Sequence, residues 1–368
     1  MVKEPFILIV TYIYSNRKEN WKSVDWRCIT PARAINKTGK HKANLVDICS
    51  LGKCNGDFED TCSRSDIIII HKDLYGQVLS SIQHWKAHDK VVIADFDKAY
   101  DLTQMSLNEH EFWFSGVHRY ENLDGDIITE EIDPNPLTQF KWGLRLVDAA
   151  TVSSLRLVED WQSFTSVYRV PNYIDLKRYL DIRSEKHEGI NIGWDGAGCD
   201  VQGLVESGVL SALSRVCLQR LNVKVVVFNN ESIYKALRVP AEQKGYFPVR
   251  NAAEWPSQLG NIDIGIAPLA GCYDKRISWE RVLEYLVMKI PWAASEGPPY
   301  YAMRTYGWMV NDTQNAWERV LFDMVDHLSD YKLEASGEPY IFGISQGIEE
   351  NIENVLSIYS MIINNALN

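Results

Sequence analysis

Paired cysteines are missing from this sequence. Its seven cysteines are scattered over 368 residues, and no two of them are spaced as CxxC. An odd and scattered set excludes the disulfide framework of a small secreted domain and indicates reduced thiols, as in the cytoplasm. Cys49, Cys54 and Cys62, taken together with His71, do not have the spacing of any common zinc site, so we expect no zinc centre.

Long apolar runs are missing as well. A transmembrane helix needs about 20 consecutive apolar residues, and the apolar stretches of this sequence are far shorter. The opening stretch MVKEPFILIVTYIY has a short apolar core and lacks a small-residue cleavage site. We therefore predict a first β-strand there rather than a signal peptide, and a cytoplasmic protein.

The sequence has no excess of positive charge. It contains 38 Lys and Arg against 49 Asp and Glu, which gives a net charge of -11. This balance argues against general nucleic-acid binding, which needs a basic surface to displace counterions. One local cluster, Lys37, Lys40, His41 and Lys42, is compatible either with contact to anionic lipid headgroups at the inner membrane face or with a solvated loop.

Short apolar runs alternate with helical patterns along most of the chain, which predicts α/β domains with doubly wound parallel sheets. Ser154 is placed to cap a helix over 155–161. Helices are also expected at 29–36, 74–88, 137–149, 204–220, 317–328 and 348–365. Strands are expected at 6–10, 43–48, 66–70, 91–94, 150–153, 168–171, 189–193, 223–228, 247–249, 262–267 and 292–294.

Two stretches interrupt this alternation. Residues 101–136 read as a long irregular loop, a type of segment that is usually functional or disordered. The polar stretch 181–188 reads as a linker between domains. We therefore predict a first domain at 1–180, a second at 181–345 and a final helical segment at 346–368.

The stretch 263–295 is the most informative part of the sequence. An apolar strand ends at Pro268, a polar loop follows with Lys275 and Arg276, and a helix then carries Arg281 and Glu284. A basic loop that leads into a helix N-terminus favours phosphate, because free backbone N–H groups and the helix dipole both attract anions. A carboxylate on that helix is suited to grip a ribose diol.

This stretch resembles the C-terminal half of the GT-B glycosyltransferases of the retaining, nucleotide-sugar-dependent "group 1" type. The resemblance rests on a strand ending in Pro-Leu, a basic loop, a Leu-Glu-Tyr element and a proline before a small-residue strand, here Pro268-Leu269, Lys275-Arg276, Leu283-Glu284-Tyr285 and 291–295. Many members carry two glutamates eight positions apart. Arg276 stands where the first of these would be, so the sequence is more similar to the branch with a basic loop.

Four further segments resemble the same family in the expected order. Two of these matches each join two stretches, 66–72 with 91–97 and 150–154 with 170–175, and the other two are 192–196 and 306–310. The resemblance implies two doubly wound Rossmann-like domains that face a cleft, with the C-terminal helix returning to the first domain. It also implies sugar transfer from a nucleotide sugar to a hydroxyl of a glycan or lipid-linked glycan, with retention of configuration and without a metal. A catalytically silent homologue that binds a partner, or a nucleotide-sugar epimerase on the same fold, remains an alternative.

The expected site residues fall into three groups. Donor binding is expected from glycines that allow close backbone approach, an aromatic ring for the base, and basic or acidic groups for the diphosphate and ribose: Gly193, Trp194, Asp195, Gly196, Tyr246 (or Phe247), Lys275, Arg276, Arg281 and Glu284. Catalytic roles are expected for His71, Lys72, Asp95 and Arg276. Acceptor binding is expected from Asp25, Trp26 and Arg27, on a long loop after the first strand, and from His118.

Several of these residues have structural explanations too. Arg281 fits a solvated helix face, and Glu284 fits a carboxylate stabilised by the helix dipole. Asp95 and Asp97 have the spacing of a metal-binding DxD motif. The basic loop meets the charge of a diphosphate, however, so we expect these aspartates to orient acceptor hydroxyls or to cap the strand, and we expect no metal cofactor.

Overall fold

The computed structural model describes residues 7–15, 21–51, 56–103, 108–121, 127–183, 187–197, 199–249 and 251–367. It divides into two compact units. Unit 1 is Met1–Asn172 together with Ile348–Asn368, and unit 2 is Tyr173–Gly347. Both units are α/β, as the alternating pattern of the sequence predicts.

Unit 1 is built on a parallel sheet of six described strands. Their order across the sheet is β2-β1-β3-β4-β7-β8. A separate antiparallel hairpin is formed by β5 and β6. The strands are β1 (Ile9–Tyr14), β2 (Lys42–Asp47), β3 (Ile67–His71), β4 (Val91–Phe96), β5 (Val117–Glu121), β6 (Ile127–Glu131), β7 (Ala149–Val152) and β8 (Val167–Arg169).

The helices of unit 1 connect these strands and cover the sheet. They are α1 (Trp21–Val24), α2 (Thr30–Lys37), α3 (Gly56–Ser63), α4 (Gln77–Ala87), α5 (Asn108–His110), α6 (Pro136–Leu146) and α7 (Leu155–Trp161), with a π-helix at Asp25–Ile29 between α1 and α2. The strands β3 and β4 are buried at every position, as is typical of parallel strands that are covered on both faces. Ser154 accepts a hydrogen bond from the backbone N–H of Leu157, so the predicted cap of α7 is confirmed.

The C-terminal helix α17 (Ile348–Leu367) belongs to unit 1. It packs against α2, and its Tyr359 hydroxyl lies 3.1 Å from that of Tyr12 on β1. The expected return of the last helix to the first domain is therefore confirmed.

The basic cluster of residues 37–42 lies against this helix. Lys37 pairs with Glu349, and the amine of Lys40 lies 3.6 Å from the Glu353 carboxylate. These ion pairs leave the idea of a membrane contact at this cluster without support.

Unit 2 is built on a second parallel sheet of six described strands, in the order β11-β10-β9-β12-β13-β14. The strands are β9 (Ile190–Asp195), β10 (Val223–Phe228), β11 (Lys244–Phe247), β12 (Ile264–Ala267), β13 (Trp292–Ser295) and β14 (Trp308–Val310). The helices are α8 (Val201–Glu206), α9 (Val209–Gln219), α10 (Glu231–Ala236), α11 (Trp255–Leu259), α12 (Gly271–Asp274), α13 (Glu280–Val287), α14 (Gln314–Asp326), α15 (Leu328–Ala335) and α16 (Glu338–Ser345).

In each sheet the direction of strand addition reverses once. The reversal lies between β1 and β3 in unit 1 and between β9 and β12 in unit 2. Doubly wound sheets bind ligands beyond the carboxyl ends of the strands at such a reversal. Ligand-binding residues are therefore expected after β9 and β12 in unit 2 and after β1 and β3 in unit 1, where β4 lies next to β3.

Several predicted boundaries differ from the structure. Residues 173–180 belong to unit 2, because Ile174 bridges to Gly347 and the Tyr179 hydroxyl donates to Glu284. The single helix expected at 204–220 is two helices, since Gly208 has a left-handed φ of 77°. The strand expected at 247–249 is Lys244–Phe247.

Two segments that were expected to be loops contain regular structure. The stretch 101–136 holds helical turns and the β5–β6 hairpin in its described parts. In the loop expected after the first strand, residues 12–27, β1 continues to Tyr14 and helical structure begins at Trp21. Residues 16–20 of this stretch lie outside the described residues. Cys54 of the rejected zinc set and part of the expected linker, 184–186, also lie outside them.

Among the helices that the structure describes, none is long and apolar enough to cross a membrane.

Candidate functional site

A buried polar cluster occupies the carboxyl ends of β3 and β4 in unit 1. His71 on β3 lies in register with Asp95 on β4, so the two side chains meet at one edge of the sheet. Asp95 accepts hydrogen bonds from the Arg27 guanidinium, with a distance of 3.0 Å to Nε, and from the Thr151 hydroxyl at 2.6 Å. His71 Nδ1 lies 3.3 Å from the same carboxylate.

The charge state of this cluster follows from the ion pair. Burial raises the pKa of Asp95, but Arg27 and the hydrogen bond with His71 outweigh that effect and hold it well below the ordinary value. Arg27 also donates to the carbonyl of Val170 and to Asn172. Asp95 is therefore a permanent anion, and Arg27 holds it in place.

A half-buried hydroxyl completes the cluster. The Ser23 hydroxyl donates to Asp97 Oδ2 at 2.7 Å and lies 2.9 Å from His71 Nε2. The other oxygen of Asp97, Oδ1, is buried and has no hydrogen-bond partner among the described residues. Asp95, His71, Ser23 and Asp97 thus form a connected path for a proton, and Asp97 has a free acceptor for a hydroxyl group. Sequence reasoning missed Ser23, because nothing near it in the sequence marks it as a partner of His71.

Lys72 follows His71 in an uncommon backbone conformation. Its φ is 56°, in the left-handed region, and its backbone N–H donates to the Asp95 carbonyl at 2.9 Å. Burial lowers the pKa of the Lys72 amine, and the nearby Lys98 adds to that effect against the attraction of Asp73. A non-glycine residue held at positive φ beside a polar cluster is a feature of functional sites.

The residues expected to bind an acceptor lie elsewhere than predicted. Asp25, Trp26 and Arg27 form part of the π-helix and are at most 8% exposed. The expectation that they lie on an open loop is wrong, because the Arg27–Asp95 ion pair draws this turn into the interior. His118 lies on β5, where its ring contacts Phe112 and its Nδ1 is 3.9 Å from Glu130.

A second polar site lies after β9 and β12 in unit 2, and Arg281 of α13 is its main cation. The Nη1 atom of Arg281 is buried and has no hydrogen-bond partner in the described part of the chain. The Nη2 atom contacts the Cys199 sulfur at 3.8 Å. Burial lowers the pKa of Arg281, whereas the ionised forms of Cys199 and Tyr300, together with Asp195, raise it well above its ordinary value. Burial also raises the pKa of Tyr300, so Asp195 is the carboxylate among these three groups and the two others are neutral near pH 7. Burial also raises the pKa of the Cys199 thiol to about 12, so the contacting sulfur is neutral near pH 7.

The Nη1 group of Arg281 is a buried donor that the described part of the chain leaves without a partner. A buried charge needs a counter-ion and hydrogen bonds to offset its lost hydration. The hydroxyl of Ser278, three residues before Arg281, is likewise buried without a partner among the described residues. The Arg281 Nη1 and the Ser278 hydroxyl are hydrogen-bond donors that suit an anion, and phosphate oxygens match the geometry of a guanidinium.

Asp274 is a carboxyl group that interacts electrostatically with Arg281 and has a raised pKa. Asp274 accepts a hydrogen bond from the backbone N–H of Ala270 at 2.6 Å. Burial raises the pKa of Asp274 to about 6, against the opposing effects of that hydrogen bond and of Arg281. Asp274 therefore repels an anion less than an ordinary carboxylate would at mildly acidic pH.

This shift predicts a pH-dependent effect on stability. Because the folded pKa lies about two units above the ordinary 3.8, folding is disfavoured by about 3 kcal/mol above pH 6, and the penalty fades as pH falls toward 4. Asp274→Asn keeps an acceptor for Ala270 and should raise the free energy of unfolding at pH 7.5 but not at pH 4. Urea denaturation at the two pH values checks this, with the exposed Asp330→Asn as a control. An equal effect of Asp274→Asn at both pH values would contradict it.

The basic loop that precedes α13 is less buried. The Arg276 guanidinium donates to the carbonyl of Cys272 at 3.0 Å. Lys275 is exposed and lies within electrostatic reach of Asp312. Lys275 is thus at the surface of unit 2, Arg276 and Arg281 are half-buried, and Arg281 carries the buried Nη1 donor.

The two glycines expected to admit a ligand are enclosed by protein. A Cβ atom at Gly193 would lie 3.0 Å from the carbonyl of Val226, and one at Gly196 would lie 2.8 Å from Ile233. Both glycines therefore serve close packing in the structure. Trp194 is fully buried in the core of unit 2, and Asp195 accepts hydrogen bonds from Asn229 and from the backbone N–H of Ala197.

Glu284 is also fully buried, and the Tyr179 hydroxyl donates to its carboxylate at 3.1 Å. The rings proposed for a base lie on β11. The Tyr246 ring is 6.1 Å from that of Tyr234, and Phe247 is 42% exposed. Of these three side chains, Phe247 therefore presents the most open surface.

No group of three or more His, Cys, Asp or Glu side chains with metal-binding geometry occurs within the described ranges. The expectation that no metal is needed stays a prediction, since it concerns the reaction.

Comparisons with known proteins identify the fold. No family model and no curated protein matches the sequence. Solved structures do match over nearly the whole chain. Sucrose-phosphate synthase from Thermosynechococcus elongatus matches with a TM-score of 0.64 and 9% identity, covering 97% of this chain and 99% of that one. The Anabaena protein HepE in complex with UDP matches with a TM-score of 0.60 and 10% identity, covering 95% and 100%.

A Listeria monocytogenes protein assigned as a UDP-N-acetylglucosamine 2-epimerase matches with a TM-score of 0.52 and 10% identity, covering 95% of each chain. At such low identity these likenesses establish the fold. The chain has the GT-B glycosyltransferase fold, and the family resemblance read from its motifs is confirmed at that level.

Proposed function

We propose that this protein transfers a sugar from a nucleotide-sugar donor to a hydroxyl group of a glycan or lipid-linked glycan. The observation that carries the proposal is Arg281, a half-buried cation beside the reversal point of a GT-B fold, whose buried Nη1 has no partner among the described residues. Two of the structural neighbours support it. One is a sucrose-phosphate synthase, and the other, HepE, was solved in complex with UDP.

In this proposal the donor diphosphate binds beside Arg281. Its oxygens accept hydrogen bonds from Nη1 and from the Ser278 hydroxyl, and Lys275 and Arg276 add positive charge from the loop. The Glu284 carboxylate binds the ribose after a ribose hydroxyl replaces that of Tyr179, which donates to it in the free protein. Phe247 or Tyr246 packs against the base.

In this proposal unit 1 binds the acceptor and takes the proton of its hydroxyl group. The free Oδ1 of Asp97 accepts the hydrogen bond of an acceptor hydroxyl, and the path through Ser23 to His71 carries its proton. The low pKa of Asp95 keeps a negative charge beside His71, which stabilises the imidazolium formed when the proton arrives. Retention of the anomeric configuration is part of the proposal and follows from the family resemblance.

A thermal-shift screen against UDP, GDP, ADP, CDP and dTDP tests the donor half of this proposal. One of these nucleotides, at a hundred times its dissociation constant, should stabilise the protein by about 2.7 kcal/mol. If none of the five shifts the melting temperature at millimolar concentration, the proposed donor site is wrong.

Sugar transfer should survive removal of divalent metals. The cations Arg281, Lys275 and Arg276 supply the positive charge that a metal ion provides to the diphosphate in metal-dependent transferases. We expect nucleoside diphosphate release to stay within about twofold after dialysis against EDTA. Loss of release on chelation, followed by recovery with Mn²⁺ or Mg²⁺, would instead assign Asp95 and Asp97 as metal ligands.

An epimerase is the second candidate, because the Listeria monocytogenes neighbour matches over 95% of both chains. The two reactions differ in their products. A transferase joins the sugar to an added acceptor, whereas an epimerase converts the sugar without needing one. NMR spectra of a reaction with the nucleotide sugar, recorded with and without a glycan acceptor, separate the two candidates.

A further inference from the structure

A cavity lies in unit 2, away from the Arg281 site. It has a volume of about 300 Å³ and opens between the first residues of β13 and β14 and the helices α14 and α15. The Arg281 site lies beyond the carboxyl ends of β9 and β12. The cavity is therefore at the opposite, amino-terminal edge of the same sheet.

The walls of this cavity are mainly aromatic. Trp308 is 39% exposed, and its ring meets that of Tyr331 at 6.4 Å in an edge-to-face arrangement. The Tyr331 hydroxyl donates to Asp323, which fixes that ring in turn. Tyr306 also lines the cavity, and its ring is stacked on Phe342 at 4.9 Å. These neighbours hold the aromatic walls in place before any ligand arrives, and pre-organised walls reduce the cost of binding.

Trp292 forms the floor of the cavity and brings an unused donor. Its ring lies directly on Gly307, where a Cβ atom would come within 2.3 Å of the indole, so the close approach requires glycine. The indole Nε1 of Trp292 is buried and has no hydrogen-bond partner among the residues that the structure describes. A buried N–H group without a partner carries a desolvation cost that a ligand acceptor would relieve.

The polar groups at the rim define the kind of ligand. Glu334 and Thr305 line the cavity and are exposed, and no Lys, Arg or His of the described residues lines it. Without a cation, and with a carboxylate present, the cavity does not suit phosphate or another anion. A quaternary ammonium would suit aromatic walls and a carboxylate, but it cannot accept a hydrogen bond from Trp292. A neutral ligand with both hydroxyl groups and apolar C–H faces matches the aromatic walls, the indole N–H donor and the carboxylate of the cavity.

We infer that this cavity is a non-catalytic binding site for one neutral sugar residue. The C–H face of the sugar packs on Trp308 and Tyr331, a ring or hydroxyl oxygen accepts from Trp292 Nε1, and hydroxyl groups donate to Glu334. The volume is at the lower end for small-molecule sites, which suits a single sugar ring. The inference stands on the cavity itself and does not depend on the proposed transfer reaction.

Saturation-transfer difference NMR on the full chain tests this site with the methyl glycosides of glucose, galactose and N-acetylglucosamine. At least one of them should receive saturation from the wild-type protein, and Trp308→Ala should reduce that signal at least fivefold. Trp142→Ala is the matched control, because Trp142 is 46% exposed in unit 1 and should leave the signal unchanged. An excess of UDP should not displace the sugar.

Other outcomes would overturn the inference. These are no signal from any of the three glycosides, a signal that Trp308→Ala leaves intact, or a Trp308-dependent signal from choline in place of the sugars. If Trp308→Ala fails to fold, Glu334→Ala decides the question, because Glu334 is exposed on a helix and its removal should lower the sugar signal at least threefold in a folded protein.

Discussion

Replacing Arg281 with alanine should weaken the binding of nucleoside diphosphate by about 10- to 150-fold. Hydrogen bonds to charged groups contribute about 1.5–3 kcal/mol each, and the unpartnered Nη1 is the donor assigned to the diphosphate. Isothermal titration of the nucleotide that stabilises the wild-type protein measures the loss. Arg319→Ala is the matched control, because Arg319 is exposed on α14 of the same unit.

The same variant separates a binding role from a structural one. In the free protein Arg281 is a half-buried cation with no carboxylate in hydrogen-bond contact among the described residues, so its removal should leave the melting temperature unchanged or raise it. A functional residue therefore shows lost affinity together with preserved stability. An Arg281→Ala protein that melts several degrees lower yet binds the nucleotide within twofold of wild type would show that the guanidinium supports the fold instead.

The largest effect on stability is expected in unit 1. Arg27→Met should destabilise the protein by about 3–5 kcal/mol, because it leaves the Asp95 carboxylate buried without its counter-ion. Urea denaturation followed by circular dichroism gives the shift in the midpoint. Arg33→Met is the matched control, since Arg33 is exposed on α2 and its loss should change the free energy of unfolding by less than about 0.5 kcal/mol.

A double variant tests the cause of that destabilisation. Arg27→Met combined with Asp95→Leu removes both charges and should recover part of the lost stability. If Arg27→Met costs less than about 1 kcal/mol, or if the double variant is as unstable as the sum of the two single variants, the ion pair does not hold this cluster together.

Regular structure was predictable wherever local signals agreed. The strand at Val223–Phe228 was predicted at its exact bounds because a run of β-branched residues is flanked by polar ones. Helix α7 was predicted with its cap because Ser154 and the following apolar spacing both indicate a helix start. The β5–β6 hairpin was missed, since its strands are rich in charged residues and carry little of the usual alternation.

The candidate site was predictable in part. The meeting of His71 with Asp95 follows from their places at the ends of neighbouring parallel strands, and Arg281 was identified from its loop and helix. The burial of Arg27 was not predictable, because it depends on a carboxylate 68 residues away. The same holds for Gly193 and Gly196, whose neighbours Val226 and Ile233 come from other elements of unit 2. Long-range partners of this kind have no signature in the local sequence.

Measuring turnover of the nucleotide-sugar donor is the most direct test of the proposed sugar transfer. The purified full chain is incubated with UDP-, GDP- and ADP-sugars and a mixture of glycan acceptors, and the release of nucleoside diphosphate is measured alongside sugar incorporation into the acceptor. We predict release that is matched by incorporation for at least one donor, together with a loss of at least tenfold in Arg281→Ala and unchanged rates in Arg319→Ala. Conversion of the donor sugar without incorporation, or turnover that is unaffected in Arg281→Ala, would contradict it.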